Sequence, residues 1–224
     1  MKVAIVSGGT KGIGKAICQI LLDNGLKVYT SARNSDPNFT HQNLFQFASD
    51  LSTKEGVLDF SNFISNQETV VDILVNNVGV FMPGKLMDEE EGSFEIQINT
   101  NLASSYHLTR QTIAQIRKSQ KPYIFNICST ASITPYLNGG SYCISKYAQL
   151  GFTKVLREEL KEDNIKVSAV LPGATLTNSW AGTDLPKNRF SEPESIAKLL
   201  WTAYELSDTT VMEEIILRPV AGDI

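Results

Sequence analysis

The chain has 224 residues, of which 42% are hydrophobic and 20% charged, with a formal net charge of −4. This length suits one α/β domain over 1–224, and the acidic balance argues against nucleic acid or an anionic membrane surface as a partner. No apolar run approaches the roughly 20 residues of a membrane span. Strand-like sequence begins almost at once, leaving no room for a secretory signal, and the spacing of Cys18, Cys128 and Cys143 suits neither a disulfide framework nor zinc. We therefore expect a cytoplasmic protein with no metal.

Three glycines separate the first predicted strand from the first predicted helix. Gly8, Gly12 and Gly14 are spaced G-x-x-x-G-x-G. Glycines at such a turn allow a phosphate to approach the backbone, and the helix N-terminus that follows favours an anion. The elements around them are a strand at Lys2–Val6, a helix at Lys15–Asp23 and a strand at Leu26–Ser31. This unit predicts the start of a nucleotide-binding α/β fold.

A second motif overlaps the glycines. Gly9, Gly14 and Lys15 match a phosphate-binding P-loop up to position 16, where Ala16 replaces the Ser or Thr that would hold Mg²⁺. No later apolar strand ends in a convincing metal-binding Asp, because Asp72 precedes its apolar run. A nucleoside triphosphatase is therefore disfavoured.

The end of the second strand carries information about the cofactor. An NAD site usually places an acid about 20 residues after the glycine loop, to bind the adenosine ribose. This neighbourhood, T-S-A-R-N, holds Ala32 and Arg33 and no acid, and Lys11 adds a cation within the loop. Two cations suit a 2′-phosphate, so the sequence favours NADP over NAD. The alternative is that Arg33 is only a solvated loop residue.

Strands and helices alternate along the rest of the chain. Further strands are predicted at Asn43–Ala48, Val70–Val75, Lys121–Ser129, Ile165–Leu171 and Glu213–Leu217. Helices are predicted at Thr53–Asn66, within Met87–Lys118 with an interruption at Asn99–Asn101, at Ser141–Glu162, and after a Ser191 cap. The alternation predicts a three-layer, doubly wound Rossmann-type fold with a mostly parallel sheet of about seven strands.

Polar residues follow two of these strands. Asp50, after the third strand, could bind an adenine amino group or could only cap the next helix. Asn76 and Asn77 follow the most apolar strand, and we expect their side chains to tie neighbouring strands together.

The stretch from Ser129 to Lys146 carries the candidate chemistry. Tyr142 and Lys146 are four residues apart, which places them on one face of a helix. A cation beside a phenol lowers its pKa, and a shift of roughly 3 units would make the phenol an acid or base near neutral pH. The pair alone could equally belong to an ordinary amphipathic helix.

Four motifs, in order, resemble those of the short-chain dehydrogenase/reductase superfamily, in its classical branch, over nearly the whole chain. They are the glycine loop Ser7–Gly14, the segment Asn76–Gly79, the set Ser129, Tyr142 and Lys146, and the segment Pro172–Thr177.

The resemblance implies roles for these residues. Tyr142 would be the general acid or base, Lys146 would lower its pKa and hold the nicotinamide ribose, and Ser129 would bind the substrate oxygen. Asn101 matches the asparagine that supports a relay water, with Asn99 as the weaker match. Ser132, ten residues before Tyr142, is a less suitable catalytic serine.

The resemblance also implies cofactor contacts. The glycine loop would hold pyrophosphate, Asp50 and Leu51 would contact adenine, and Thr177 with the backbone after the sixth strand would orient the carboxamide. The full set is Gly8, Thr10, Lys11, Gly12, Ile13, Gly14, Arg33, Asp50, Leu51, Asn77, Val78, Gly79, Tyr142, Lys146, Pro172, Gly173, Thr175 and Thr177.

Two departures concern the walls of the site. Val78 replaces the family's usual alanine, and the segment 178–190, where members carry a lid, is short. Phe81, Met82, Met87 and Trp180 are candidate pocket residues or simple packing.

The expected activity is NADP(H)-dependent transfer of hydride between nicotinamide C4 and a ketone or secondary alcohol. The alternatives are a non-catalytic dinucleotide sensor or scaffold, and an epimerase or dehydratase that uses the same cofactor. Family likeness implies a homodimer or homotetramer formed through the helices near 101–118 and 141–162.

Overall fold

The computed structural model describes residues 1–223 and contains one sheet of seven parallel strands, in the order β3-β2-β1-β4-β5-β6-β7. The strands are β1 (Val3–Ser7), β2 (Lys27–Ala32), β3 (Leu44–Ala48), β4 (Ile73–Asn76), β5 (Tyr123–Ile127), β6 (Lys166–Pro172) and β7 (Glu214–Leu217). The helices are α1 (Gly12–Asp23), α2 (Lys54–Ser65), α3 (Ser93–Ile98), α4 (Ser104–Ile116), α5 (Gly140–Leu160) and α6 (Pro193–Glu205). The predicted doubly wound parallel fold is confirmed.

Alternating apolar residues on the strands build a core on each face of the sheet. Ala4 and Val6 of β1 pack with α1 and α6 on one face. Val3 and Ile5 pack with α2, α4 and α5 on the other face. Each fully buried aliphatic side chain contributes about 1.5–3 kcal/mol to folding. Packing on both faces therefore holds the strand ends, and the loops that leave them, in place.

The sheet reverses its direction of growth between β1 and β4. The chain runs outward from β1 through β2 to β3, then returns to place β4 on the other side of β1. Loops leaving the carboxyl ends of these two strands diverge, and ligands of such sheets bind in the crevice between them.

Asparagine side chains join the strand ends at this crevice. Asn76 Nδ2 donates to Asn126 Oδ1 at 2.8 Å and to Thr109 Oγ1 at 3.0 Å. Asn77 Nδ2 donates to the carbonyl oxygens of Ser7 at 2.9 Å and Gly8 at 3.1 Å. The prediction that these asparagines tie neighbouring strands is confirmed.

The predicted interruption at Asn99–Asn101 is a π-helical turn, Asn99–Ala103, which joins α3 to α4. Such turns are rare in helices and frequent at functional sites. None of the helices between Met1 and Asp223 has the length and apolarity needed to cross a membrane.

The starts of α1 and α6 differ from the sequence predictions, and the start of α2 bears on an alternative left open for Asp50. α1 begins at Gly12, three residues earlier than predicted, so the end of the glycine loop is already helical. α6 is preceded by Glu192 and not by a Ser191 cap. Ser191 lies one residue earlier and pairs with the Thr175 segment, its N–H donating to the Ala174 carbonyl at 2.9 Å. α2 begins at Lys54, one residue after the predicted start, and is capped by Thr53, whose Oγ1 accepts the Gly56 N–H at 3.0 Å. Of the two roles left open for Asp50, the helix cap is therefore not observed.

Candidate active site

A cavity of about 610 Å³ lies at the crevice between β1 and β4, within the size range of small-molecule sites. Fourteen of the predicted site residues line it: Gly8, Lys11, Gly12, Ile13, Gly14, Arg33, Asp50, Leu51, Asn77, Val78, Gly79, Tyr142, Lys146 and Thr177. The fold thus brings residues from all four motifs to one cavity.

Four predicted cofactor residues lie outside the cavity lining. Thr10 is buried within the glycine loop. Pro172, Gly173 and Thr175 lie at the end of β6 and in the turn that follows, where Thr175 Oγ1 donates to the Gly173 carbonyl at 3.0 Å. Their cofactor roles remain predictions.

The glycine loop leaves the start of α1 open to a ligand. Lys11, the residue before the helix, makes no side-chain cap, and the first turn holds no acid. Gly12 has φ +51°, and a Cβ there would lie 3.0 Å from Thr177 Cγ2. Because the N–H groups of a helix's first turn have no partner within the helix, this end suits an anion such as a pyrophosphate.

The acid that follows these cations in sequence, Asp36, pairs with a third cation. Lys11 and Arg33 are exposed on the cavity wall. Asp36 follows Gly14 by 36 − 14 = 22 residues, about the distance at which an NAD site places its acid. However, its carboxylate pairs with Lys15 Nζ at 2.8 Å, and this hydrogen bond is the main reason that the pKa of Asp36 is lowered. Sequence reasoning missed this pair, although the spacing could have revealed Asp36.

Asp50 and Leu51 lie on the cavity wall at the end of β3. Asp50 Oδ1 accepts hydrogen bonds from the Ser52 N–H at 3.0 Å and the Ser52 Oγ at 2.8 Å. These bonds, followed by the nearby Arg33, lower the pKa of Asp50, so the carboxylate is ionised at neutral pH. Adenine contact remains a prediction for both residues.

α5 places Tyr142 and Lys146 one turn apart, with Lys146 Nζ 5.9 Å from the centre of the Tyr142 ring. Burial raises the pKa of Tyr142, and hydrogen bonding with Ser129 offsets part of this rise. Burial also lowers the pKa of Lys146 to about 8. Burial thus outweighs the lowering causes at Tyr142, because the phenolate loses water. That Lys146 lowers the pKa of the phenol remains a prediction.

A short 3₁₀ turn, Thr130–Ser132, holds Ser129 in place. Ser129 Oγ accepts the Ala131 N–H at 3.1 Å, and Ser132 Oγ accepts the Ser129 N–H at 3.2 Å. This reciprocal capping box accounts for Ser132, which is fully buried and supports the Ser129 backbone.

Asn101 is fully buried in the π-helical turn. Its Oδ1 accepts the Val80 N–H at 2.7 Å, and its Nδ2 donates to the Val80 carbonyl at 3.0 Å and to Ser145 Oγ at 2.8 Å. Asn101 thus holds the loop after β4 against α5. Asn99 instead lines a smaller neighbouring cavity with His107.

Exposed aromatic residues border the cavity beside Tyr142. The Phe81 ring packs edge-on against Tyr142, with centroids 4.9 Å apart, and lies 6.5 Å from Tyr136. Trp180 packs against Phe190 at 5.0 Å and is not part of the cavity lining. Met82 and Met87 are also outside it.

The short segment 178–190 contributes only its first residues to the cavity. Asn178 and Ser179 line it, whereas residues 181–188 are all exposed. The Val78 side chain lines the cavity too, with Cγ2 3.1 Å from the place of a Cβ on Gly8.

Two further groups matter to the electrostatics of the site. Gln149 is fully buried and accepts a hydrogen bond from Lys146 Nζ at 2.8 Å, a contact that sequence reasoning missed. Its signal was a polar residue three positions after the lysine, on the same helix face.

The Cys128 thiol beside the site is buried and free, and burial raises its pKa to about 11, so it is not a thiolate at neutral pH.

Comparisons with known proteins agree with this geometry. A family model described as short chain dehydrogenase matches residues 2–187. Sepiapterin reductase of Chlorobaculum tepidum is 35% identical over 176 residues, covering 78% of this chain and 72% of the relative. A 3-amino-tetrahydro-pyrrolizinone reductase of Xenorhabdus hominickii is 33% identical over 205 residues, which cover 87% of this chain and 71% of the relative.

The fold also matches that of a solved alcohol dehydrogenase. The protein, from the archaeon Thermococcus sibiricus and complexed with 5-hydroxy-NADP, superimposes with a TM-score of 0.90 at 25% identity, covering 98% of this chain and 97% of the other. From the family model, these relatives and the parallel sheet with its crevice, we conclude that this chain belongs to the short chain dehydrogenase family of oxidoreductases.

Proposed function

We propose that this protein is an NADP(H)-dependent oxidoreductase that interconverts a ketone and a secondary alcohol, with Tyr142 as the general acid or base. One observation carries the proposal: a single cavity joins the glycine loop and its cations to Tyr142 and Lys146. Its volume of about 610 Å³ and its two chemically different ends suit a dinucleotide that presents its nicotinamide to a substrate.

The residues present fit NADP(H). The first turn of α1 would hold the pyrophosphate, Lys11 and Arg33 the 2′-phosphate, and Lys146 the nicotinamide ribose. Pairing of Asp36 with Lys15 supports the phosphate assignment, since within residues 1–223 Lys11 and Arg33 form no ion pair of their own. Each acts on an acid only at longer range, Lys11 on Asp36 and Arg33 on Asp50. When bound, the nicotinamide supplies or accepts the hydride. The NADP analogue in the Thermococcus sibiricus enzyme also supports this choice.

The protein's part in the reaction is proton transfer and stabilisation of charge. A raised pKa keeps Tyr142 protonated at neutral pH, ready to donate its proton to the substrate oxygen as a carbonyl is reduced. Ser129, which lowers the pKa of Tyr142 and so lies near its hydroxyl, would hold the same oxygen. In alcohol oxidation Tyr142 would take the proton, assisted by the positive charge of Lys146.

We further propose that the chain acts in the cytoplasm, as one domain over 1–224, and assembles as a homodimer or homotetramer. Apolar side chains exposed on α4 and α5, including Tyr106, Ile144, Tyr147 and Val155, support assembly through these helices. Light scattering should give at least twice the mass of one chain.

The activity is tested by a panel of ketones and secondary alcohols with NADPH and NADH. The Tyr142→Phe variant should bind NADPH normally in calorimetry but lose about 10²–10⁴-fold in turnover, the usual contribution of a general acid. Tyr147→Phe, which changes an exposed tyrosine on the same helix, is the matched control and should keep parental rates.

Three outcomes would contradict the proposal. Turnover that survives in Tyr142→Phe would exclude the mechanism. NADPH binding without turnover of any panel compound would favour a non-catalytic sensor or scaffold. Conversion of substrate without net NADPH consumption would favour an epimerase or dehydratase.

A further inference from the structure

The face of α5 that packs into the protein is unusually polar around Lys146. Ser145 and Gln149 are fully buried, Lys146 is 4% exposed and Thr153 is 3% exposed. Buried polar groups persist only when they are hydrogen-bonded, so each of these side chains requires a partner.

The ammonium of Lys146 is held by two neutral oxygens. Its Nζ donates to the Ile127 carbonyl at 3.0 Å and to Gln149 Oε1 at 2.8 Å. Gln149 Nε2 in turn donates to Ser105 Oγ on α4 at 3.3 Å, which orients the amide with its oxygen towards the lysine. An ammonium has three N–H donors, so one remains for the cavity that Lys146 lines.

We propose that Gln149 is a positioning residue: its amide oxygen holds the Lys146 ammonium at the cavity wall without neutralising its charge. The proposal rests on the proposed function in assigning Lys146 to the active site. A carboxylate at 149 would hold the lysine equally well, but it would cancel the positive charge that assists ionisation of Tyr142.

The groups around Lys146 leave its charge uncompensated. Tyr142 faces it from the same helix, and Cys128, beyond the end of β5, is the one titratable group within 1–223 close enough to raise the pKa of Lys146 if it were ionised. The Cys128 thiol is itself neutral near pH 7. Gly79, from the loop after β4, lies beside both Lys146 Nζ and Asn101 Oδ1, and neither Gly79 nor Asn101 carries charge.

The first test measures Lys146 directly and needs no turnover. NMR titration of the full chain with ¹³Cε-labelled lysine, assigned by a Lys146→Arg spectrum, should give a midpoint of about 8 in the parent. Gln149→Glu should raise this midpoint by about 1 unit or more, because a carboxylate stabilises the ammonium. Gln149→Met, similar in length but without the acceptor, should lower it.

Gln115→Met is the matched control. Gln115 is also buried on a helix, but its Nε2 donates to the Glu68 carbonyl at 2.8 Å. Its replacement should lower the melting temperature and leave the Lys146 titration unchanged. If both Gln149 variants keep the parental midpoint within about 0.3 units, the positioning role is excluded. The Gln149→Glu measurement decides the question if the Met variant does not fold.

The second test uses the pH profile. In alcohol oxidation, Gln149→Glu should move the rise in kcat/KM to higher pH by about 1 unit, and Gln149→Met should lower kcat about 10-fold. A parental profile in both variants would overturn the proposal. If the parent protein turns over no panel compound, the proposed function fails, whereas the lysine titration still decides the role of Gln149.

Discussion

Backbone groups and asparagine amides build the cofactor end of the cavity, whereas exposed aromatic rings build the end beside Tyr142. At the first end, Asn77 bonds to the carbonyls of Ser7 and Gly8, which fixes the glycine loop to the end of β4. At the second, Phe81 is 38% exposed and packs edge-on against Tyr142. The first end is therefore continuous with the sheet, while the second depends on loops.

This difference indicates where chemistry and selectivity reside. A part of the site tied to both hydrophobic cores cannot change shape without disturbing the fold, which suits a cofactor shared by many enzymes. A part built from surface loops tolerates change, and such loops commonly carry substrate selectivity. Substitutions at the two ends should accordingly differ in the size and kind of their effects.

The largest effect is expected from Gly14→Ala at the cofactor end. A Cβ there would overlap the Gly8 carbonyl and the Asn77 amide, whose mutual bond leaves neither free to move. We expect NADPH affinity to fall at least ~100-fold and the free energy of unfolding to fall by about 1–3 kcal/mol. Calorimetry and denaturant titration measure the two changes.

Gly151→Ala on α5 is the control for that substitution. A Cβ at Gly151 meets nothing within 4 Å, so the exchange should stabilise the helix by about 0.5–1 kcal/mol. Parental NADPH affinity in Gly14→Ala would contradict the rigidity assigned to this end.

A double substitution, Lys11→Ala with Arg33→Ala, should lower the affinity for NADPH and leave the affinity for NADH nearly unchanged. Because both side chains are exposed, we expect their bonds to the phosphate to contribute about 1.5–3 kcal/mol together, so NADPH affinity should fall roughly 10- to 100-fold. NADH lacks the 2′-phosphate, and its affinity should change by less than about 3-fold. Arg117→Ala with Lys118→Ala, at the far end of α4, is the control. An equal loss for both cofactors would contradict the assignment of the cations.

The pH dependence should separate the two reaction directions. Burial raises the pKa of Tyr142, so its hydroxyl stays protonated through neutral pH and loses its proton only as the pH rises through that pKa. The kcat/KM for carbonyl reduction should therefore be nearly constant from about pH 6 to about pH 8. The kcat/KM for alcohol oxidation should rise about 10-fold per pH unit, in proportion to the phenolate fraction. A flat oxidation profile of kcat/KM would show that the phenol is not the base.

The smallest effect is expected at the aromatic end. Phe81→Ala should raise KM for an aryl ketone about 3- to 10-fold, the loss of one aromatic contact of about 0.5–1.5 kcal/mol. The kcat for a small aliphatic ketone should stay within about 2-fold, because the substitution leaves Tyr142 and Lys146 in place. Phe94→Ala, an exposed aromatic position outside the cavity lining, is the control. Equal losses for both substrates would mean that Phe81 supports Tyr142 rather than contacting substrate.

Some site residues could be located from the sequence because of the sheet's geometry. Gly8, Asn77 and Asp50 each follow a predicted strand, and the carboxyl ends of parallel strands meet at one edge. Tyr142 and Lys146 needed only the helical repeat. Spacing along the chain could have pointed to Asp36 and Gln149, but their pairing with Lys15 and Lys146 follows only once the side chains are placed.

By itself, the sequence determined the order of strands and helices, the glycine loop and the helix that carries tyrosine and lysine. Those features depend on local periodicity and on where polar residues follow apolar runs. Only the tertiary structure decided that the pKa of Tyr142 rises, that Asp36 is paired and that Gln149 holds Lys146. The physical reason is that desolvation and pairing depend on what packs around a group, which residue spacing along the chain does not specify.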